Sequence, residues 1–372
     1  MFHYFLFFLL GLLYFNYLKK KAKKLPDIII TNIHKKYSGI TTTIINLYPE
    51  HAKLFNIGLY GYPINMNEKN ISLIDFIFYG YKLSDNISCR LIHVRRNDEI
   101  IFAVFIRDIL RIPIKIIFTD PRIRKRSFIS ILLLKKVDHI IVTHKKCIGN
   151  LPDQSKIISI IPHGVKTNQI RSHYKDIYNL KDKFVISTFG RVRKQKGIHI
   201  FVSALIKIMY KYPNVVGVIV GETDIRNIYF KSNLISLIKK HKLTDRFIFT
   251  GFVHKNVFDY IHKNTNLTIC VPLREEFGLT PIESLSYGHP VICSDTGAFY
   301  TMIDEYKTGN IIPTNDVNKL IESIVFYIND KSKLQKMRKF CLEKVKNNFM
   351  IEMEASKINN IYEKLLYSRS KK

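Results

Sequence analysis

The sequence predicts an α/β protein built from two doubly wound, Rossmann-like domains that face each other across a cleft. Three observations carry this: apolar runs without polar alternation, which suit parallel strands covered on both faces; helical stretches between those runs; and a polar break near mid-chain. A length of 372 residues exceeds one ordinary core and suits two domains of about 150 residues each.

The first domain, 25–165, opens on the strand Asp27-Ile28-Ile29-Ile30-Thr31. A loop, Asn32 to Gly39, and a helix, Thr41 to Tyr48, complete the first unit of a doubly wound sheet. Strands are expected at 88–93, 114–119, 139–143 and 157–162, with helices at 98–110 and 128–136 between them. Pro162-His163-Gly164-Val165 and the polar stretch to Asp182 break the pattern and form the linker. In the second domain, 166–345, a strand at 184–189 is followed by a glycine-flanked loop, Gly190 to Gly197, and a helix at 199–211. Strands follow at 215–220, 247–250, 267–271 and 290–294, then helices at 319–329 and 343–366, with 346–372 as the closing segment.

The apolar share of 47% indicates a folded chain, and 59 Lys and Arg against 30 Asp and Glu give a formal charge of +29. Nucleic acid, an anionic membrane face or a phosphorylated glycolipid would each answer that charge; a lysine-rich coding bias would produce it without a partner. The five cysteines have no C-x-x-C spacing, which argues against a zinc or iron–sulfur site and for a reducing compartment. Met1 to Leu18 is apolar and is followed by five lysines within 19–24. That is barely enough to span a hydrocarbon layer of about 30 Å, with the lysines on the cytoplasmic side. A helix covering a groove of the domain, or an extension from an early start codon, are the other readings.

No G-x-G-x-x-G or G-x-x-x-x-G-K-[ST] occurs, which disfavours dinucleotide oxidoreductases and P-loop ATPases. Gly39 opens a helix whose free N–H groups can meet an anion, or else it only makes the turn. Gly190-Arg191-Val192-Arg193-Lys194-Gln195-Lys196-Gly197 combines a strand end, cations and a helix start, which is a recipe for gripping a diphosphate; a solvated basic loop would look the same. In Arg274-Glu275-Glu276-Phe277-Gly278-Leu279-Thr280-Pro281-Ile282-Glu283, Thr280 and Glu283 are spaced as a capping box. Equally, Glu275 and Glu283 are placed to accept sugar and ribose hydroxyls, and spacing alone leaves both accounts open.

This stretch resembles the signature of the retaining glycosyltransferases of the GT-B fold, family four: E-x-F-G-x-x-x-x-E after a strand, then G-x-P-V. Here these are Glu275, Phe277, Gly278 and Glu283, followed by Gly288, Pro290 and Val291, with Glu276 where the family usually has glycine. A closer similarity, to the lipopolysaccharide core mannosyltransferases of alpha-proteobacteria, rests on Tyr37 to Thr43, His93 to Glu99, Phe118-Thr119 with the basic run to Arg126, Ile161 to Gly164, and Asp295 to Phe299.

The resemblance implies catalytic roles for Arg191, Lys196, Glu275 and His93. Arg191 and Lys196 would hold the departing diphosphate, Glu275 the transferred sugar, Glu283 the ribose, and His93 with Arg95 and Arg96 would line the first-domain side of the cleft. Gly39, Phe277, Gly278 and Leu279 would complete the donor site. No D-x-D follows a strand, so neither metal nor cofactor is expected, only a nucleotide-sugar donor. By resemblance that donor is GDP-mannose and the acceptor a Kdo-bearing lipid A glycolipid, at the cytoplasmic face of the bacterial inner membrane, attached peripherally or by a single N-terminal anchor. The anionic membrane surface is the further partner expected, and nucleic acid is not. UDP-glucose is the alternative donor; a nucleotide-sugar epimerase and a basic nucleic-acid-binding protein are the alternatives of other classes.

Overall fold

Isoleucine runs without alternation become strands buried on both faces, because a parallel sheet flanked by helices leaves no wet side. In the computed structural model, which describes residues 24–35, 38–64, 68–166 and 176–367, these strands build two units. One is formed by residues up to Pro162 together with those from Glu354 onward, the other by His163–Met353. The apolar segment Met1 to Leu18, Lys19, Lys20, Lys21 and Lys23 of the lysine cluster, and Tyr37 lie outside the described residues. Among the described residues no helix is long and apolar enough to cross a membrane.

The first unit runs β1 (Ile28–Asn32), α1 (Gly39–Ala52), β2 (Ile57–Gly61), β3 (Asn70–Ile71), α2 (Leu73–Tyr79), β4 (Arg90–Val94), α3 (Asn97–Val104), β5 (Ile114–Asp120), α4 (Phe128–Lys135), β6 (His139–Val142) and β7 (Ile157–Ile160). All pairings are parallel, in the order β3-β2-β1-β4-β5-β6-β7. Right-handed crossovers put α1 on one face and α2, α3 and α4 on the other, since the chain moves one way from β1 and the opposite way from β3 onward. Sequence reading missed β2, β3 and α2. The helix expected over 98–110 is α3 prolonged by a π turn, Phe105–Ile109.

The second unit continues with β8 (Phe184–Phe189), α5 (Ile198–Lys211), β9 (Val215–Val220), α6 (Ile228–Lys240), β10 (Phe247–Gly251), α7 (Lys255–Asn264), β11 (Thr265–Cys270), α8 (Thr280–Ser286), β12 (Val291–Ser294), α9 (Phe299–Met302), β13 (Gly309–Ile312), α10 (Val317–Ile328) and α11 (Lys331–Asn348), while α12 (Ile351–Tyr367) belongs from Glu354 onward to the first unit. Its sheet is parallel, ordered β10-β9-β8-β11-β12-β13. On α5, Ile198, Phe201, Val202, Leu205, Ile208 and Met209 fall at helical spacing and are all buried, each contributing about 1.5–3 kcal/mol. The closing helix expected over 343–366 is instead α11 and α12. The break lies at Phe349-Met350, where the Val165 N–H donates to the Phe349 carbonyl and the Ile351 N–H to the Val165 carbonyl, diverting both groups from the helical ladder.

Several histidines are buried in neutral form. His51, at the end of α1, meets Asn359 Oδ1 through Nδ1 at 2.6 Å, while its Nε2 has no partner among the described residues. Burial pushes its pKa down to about 4. Burial also lowers His289, to about 3, and carries His262 well below its ordinary value. A depressed folded-state pKa means stability that is present above the unfolded value near 6.5 and lost as pH falls through the folded one. The thermal midpoint should therefore fall steadily from pH 6.5 to pH 4. His289→Phe, which keeps the stacking on Tyr287 but cannot titrate, should flatten that slope; an unaltered slope would show that His289 does not carry it.

Candidate active site

The second unit gathers its loops at the carboxyl ends of β8, β11 and β12. β8 and β11 adjoin where the strand order reverses, the place where an open α/β sheet leaves a crevice. After β8, Gly190 turns with φ +128, its N–H bonding the Val220 carbonyl at 2.8 Å, and the Val192 N–H bonds the Glu222 carbonyl at 2.8 Å. Lys194–Lys196 then form one 3-10 turn, and Gly197, at φ +71, starts α5. A β-carbon at Gly197 would lie 1.9 Å from the Val271 carbonyl oxygen, so this loop and the end of β11 approach as closely as backbones can.

That approach sets the side chains. Lys196 Nζ lies 2.5 Å from Glu275 Oε2, both groups largely shielded. The Glu275 loop is tied down on two sides: the Leu273 N–H donates to the Gln195 carbonyl at 2.8 Å, and the Glu275 N–H to Thr296 Oγ1 at 3.3 Å. Arg191 is exposed and has no ion-pair partner among the described residues. The result is a cation–carboxylate pair beside a solvent-facing guanidinium at a strand end, an arrangement suited to a ligand carrying both phosphate and hydroxyl groups.

Glu283 lies on α8, and the capping-box account of it is corrected. Thr280 is the first helical residue, Leu279 precedes it with helical torsions, and no side chain caps the helix. Burial raises the Glu283 pKa to about 6 against the pull of Lys196 and Lys255, which leaves a carboxylate poorly hydrated and without the local partner its spacing suggested. Phe277 is buried against the His163 ring, edge to face at 4.9 Å. Gly278 takes φ +75 with no room for a β-carbon beside Phe299. Leu279 is half-buried. At Glu276 the backbone stays out of the left-handed region, so the conformation does not call for glycine there.

Gly39 sits in the first unit at the start of α1, exposed, with nothing within 4 Å of where a β-carbon would stand and with Ser38 capping the helix through the Thr41 N–H. His93, expected to line the first-domain side of the cleft, is wholly buried, Nδ1 lying 2.5 Å from the Tyr362 hydroxyl and Nε2 2.6 Å from Thr119 Oγ1. Its neighbours are also inside or engaged. Arg95 is buried, and Arg96 reaches Glu99 at 3.1 Å and Ser38 Oγ at 3.0 Å. Arg126 is paired with Asp120 inside the unit. Arg193 has its Nε buried, which a fully solvated basic loop would not show. Gln195, Thr296 and Lys255 escaped sequence reasoning as site residues. Thr296 at least lay in a segment singled out by resemblance, whereas nothing local marked Lys255.

Residues 171–342 match the family described as glycosyl transferases group 1. This protein is a glycosyltransferase. The glycosyltransferase is 29% identical over 349 residues to the lipopolysaccharide core biosynthesis mannosyltransferase LpsB of Rhizobium meliloti, covering 91% of this chain and 98% of that one. It is 27% identical over 346 residues to LpcC of Rhizobium leguminosarum, a protein of the same description, covering 91% and 97%. Among solved structures, HepE of Anabaena, in complex with UDP and glucose, superposes with a TM-score of 0.76 at 15% identity, covering 90% of this chain and 98% of that one. The fold of the glycosyltransferase is GT-B.

Proposed function

We propose that this glycosyltransferase moves a mannosyl group from GDP-mannose onto a Kdo-bearing lipid A core, with retention at the anomeric carbon. The observation that carries the donor site is the Lys196–Glu275 contact of 2.5 Å, which puts a diphosphate cation and a sugar-accepting carboxylate side by side. Arg191 and Lys196 stabilise the charge that grows on the departing diphosphate, the part of the reaction in which preorganised cations contribute most. Glu275 accepts from hydroxyls of the sugar, and Glu283, poorly hydrated, from the ribose. Phe277, Gly278 and Leu279 shape the loop that presents them, and the open N-terminus of α1 at Gly39 meets phosphate or acceptor. Mannose and the lipopolysaccharide core are supported by the names of LpsB and LpcC, which align along nearly their whole length. With Arg95 buried and Arg96 and Arg126 paired internally, the acceptor's anionic groups fall to Arg122 and Lys125. The lipid-linked acceptor places the enzyme at the anionic cytoplasmic face of the inner membrane.

A panel of GDP-mannose, UDP-glucose, UDP-galactose and UDP-N-acetylglucosamine, each offered with lipid A bearing or lacking Kdo, tests this reading. The expected result is one hexose added to the Kdo-bearing lipid, dependent on GDP-mannose. Preference for UDP-glucose would overturn the donor, and equal transfer to Kdo-free lipid would overturn the acceptor.

A further inference from the structure

Helices α2, α3 and α4 cover one face of the first sheet, and their inner sides share a single core through Phe76, Tyr79, Ile100, Ala103, Ile106 and Leu134. They are also joined to one another. Asn97 Nδ2 donates to Ser130 Oγ at 2.7 Å, the Phe76 and Phe102 rings meet at 5.7 Å, and the Tyr81 hydroxyl donates to the Leu110 carbonyl. Their outward sides are apolar instead of polar. Ile74 and Ile77 on α2 are 59% and 49% exposed, Ile101 and Ile109 along α3 and its π turn 55% and 68%, and Phe128 and Ile129 on α4 73% and 66%. An outer face of this kind on three adjoining helices is the reverse of a solvated surface.

The charge around this face is mainly positive. The acidic side chains of the three helices and the π turn are engaged: Asp75 accepts from the Ser72 N–H and hydroxyl, Asp98 meets His34, Glu99 binds Arg96, and Asp108 binds Arg107. Arg124 and Lys125 before α4, and Lys135 and Lys136 at its end, are exposed. We infer that the outer face of α2, α3 and α4 docks on an anionic lipid bilayer, its isoleucine and phenylalanine side chains entering the acyl boundary and its lysines and arginines meeting the headgroups. This deepens the membrane-attachment part of the proposed function, assigns the contact to the folded first unit in addition to the N-terminal segment, and is independent of which sugar is transferred.

The chain contains no tryptophan, so Phe128→Trp in the full chain is a single fluorescent reporter at a position open enough to accept it. Vesicles of phosphatidylglycerol and phosphatidylcholine should shift its emission to the blue, and acyl-brominated lipid should quench it. Leu54→Trp, 70% exposed in the turn after α1, should be neither shifted nor quenched. Arg124→Gln and Lys125→Gln should each weaken partitioning by about fivefold at low salt, with less effect as salt rises. Sedimentation of the chain with vesicles but no quenching at position 128, or equal quenching at 54, would overturn the docking face while leaving membrane attachment intact. Failure to sediment with vesicles at all would overturn both. A blue shift that grows with protein concentration in the absence of lipid, together with a doubled mass in sedimentation, would assign the face to a second copy of the chain and overturn the lipid assignment.

Discussion

Lys196→Ala is expected to lower catalytic efficiency toward the donor roughly ten- to a hundredfold, because a charge-assisted contact of this kind is worth about 1.5–3 kcal/mol. The ammonium lies 2.5 Å from Glu275 and is held there by a 3-10 turn that Gly197 terminates. In the proposed reaction it moves its interaction toward the departing diphosphate, so the loss should fall on turnover as well as on affinity. Arg191→Ala should act in the same direction. Lys194→Ala is the control, since Lys194 is exposed in the same turn and has no ion-pair partner among the described residues. Arg193 cannot serve as that control, because its Nε is buried and burial lowers its pKa. Steady-state kinetics with a circular-dichroism melt on each variant decides the matter: a folded Lys196→Ala enzyme with undiminished kcat/KM would remove Lys196 from the site.

Gly197→Ala should have the largest effect on stability near the site. The residue has φ +71, and an added β-carbon would lie 1.9 Å from the Val271 carbonyl oxygen. A left-handed non-glycine residue costs on the order of 1 kcal/mol, and the backbone clash adds to that, so a total loss of about 2–4 kcal/mol is expected. Relief requires moving the Lys194–Lys196 turn or the end of β11, and either shift separates Lys196 from Glu275. Urea denaturation should show the destabilisation, and donor turnover should fall with it. Gly39→Ala provides the contrast: a β-carbon there meets nothing within 4 Å, and the residue opens a helix without positive φ. Stability should then change by less than about 0.5 kcal/mol, or rise slightly through helix propensity. Equal melting behaviour of the two variants would refute the argument from backbone approach.

Much of the chain was legible because its strands are buried on both faces and so announce themselves as apolar runs. β8 and β9 lie at the ends read from sequence, 184–189 and 215–220. β2 and β3 were not legible: Ile-Gly-Leu-Tyr-Gly is only partly buried, and two residues of β3 carry no period. α6 was missed because it buries only Leu234 and Ile238 and leaves Ile228, Tyr229 and Ile235 exposed, which blurs its apolar stripe, and α7 because it is short and carries two lysines and two asparagines in ten residues. The glycine-bounded basic loop and the glutamate motif were visible as local pattern, since turns and strand ends impose residue types on neighbours in sequence.

What the sequence determined by itself is therefore the alternation of strands and helices, the two-part architecture and the segments from which a donor site could be built. What only the tertiary structure decided is which of those residues face outward and which face one another. His93 shows this most plainly. Its motif placed it with two arginines after a strand, yet it is buried by hydrogen bonds to Thr119 and to Tyr362, the latter 269 residues away. Glu283 shows the converse, with a capping box written in its spacing and no cap in the fold, because the helix begins at Thr280 and leaves the carboxylate among side chains from other loops. Lys196 and Glu275, 79 residues apart, are joined only because Gly197 lets one strand-end loop touch the backbone of another. Local propensity reads a few residues at a time, whereas burial and pairing depend on which distant segments the sheet order brings together.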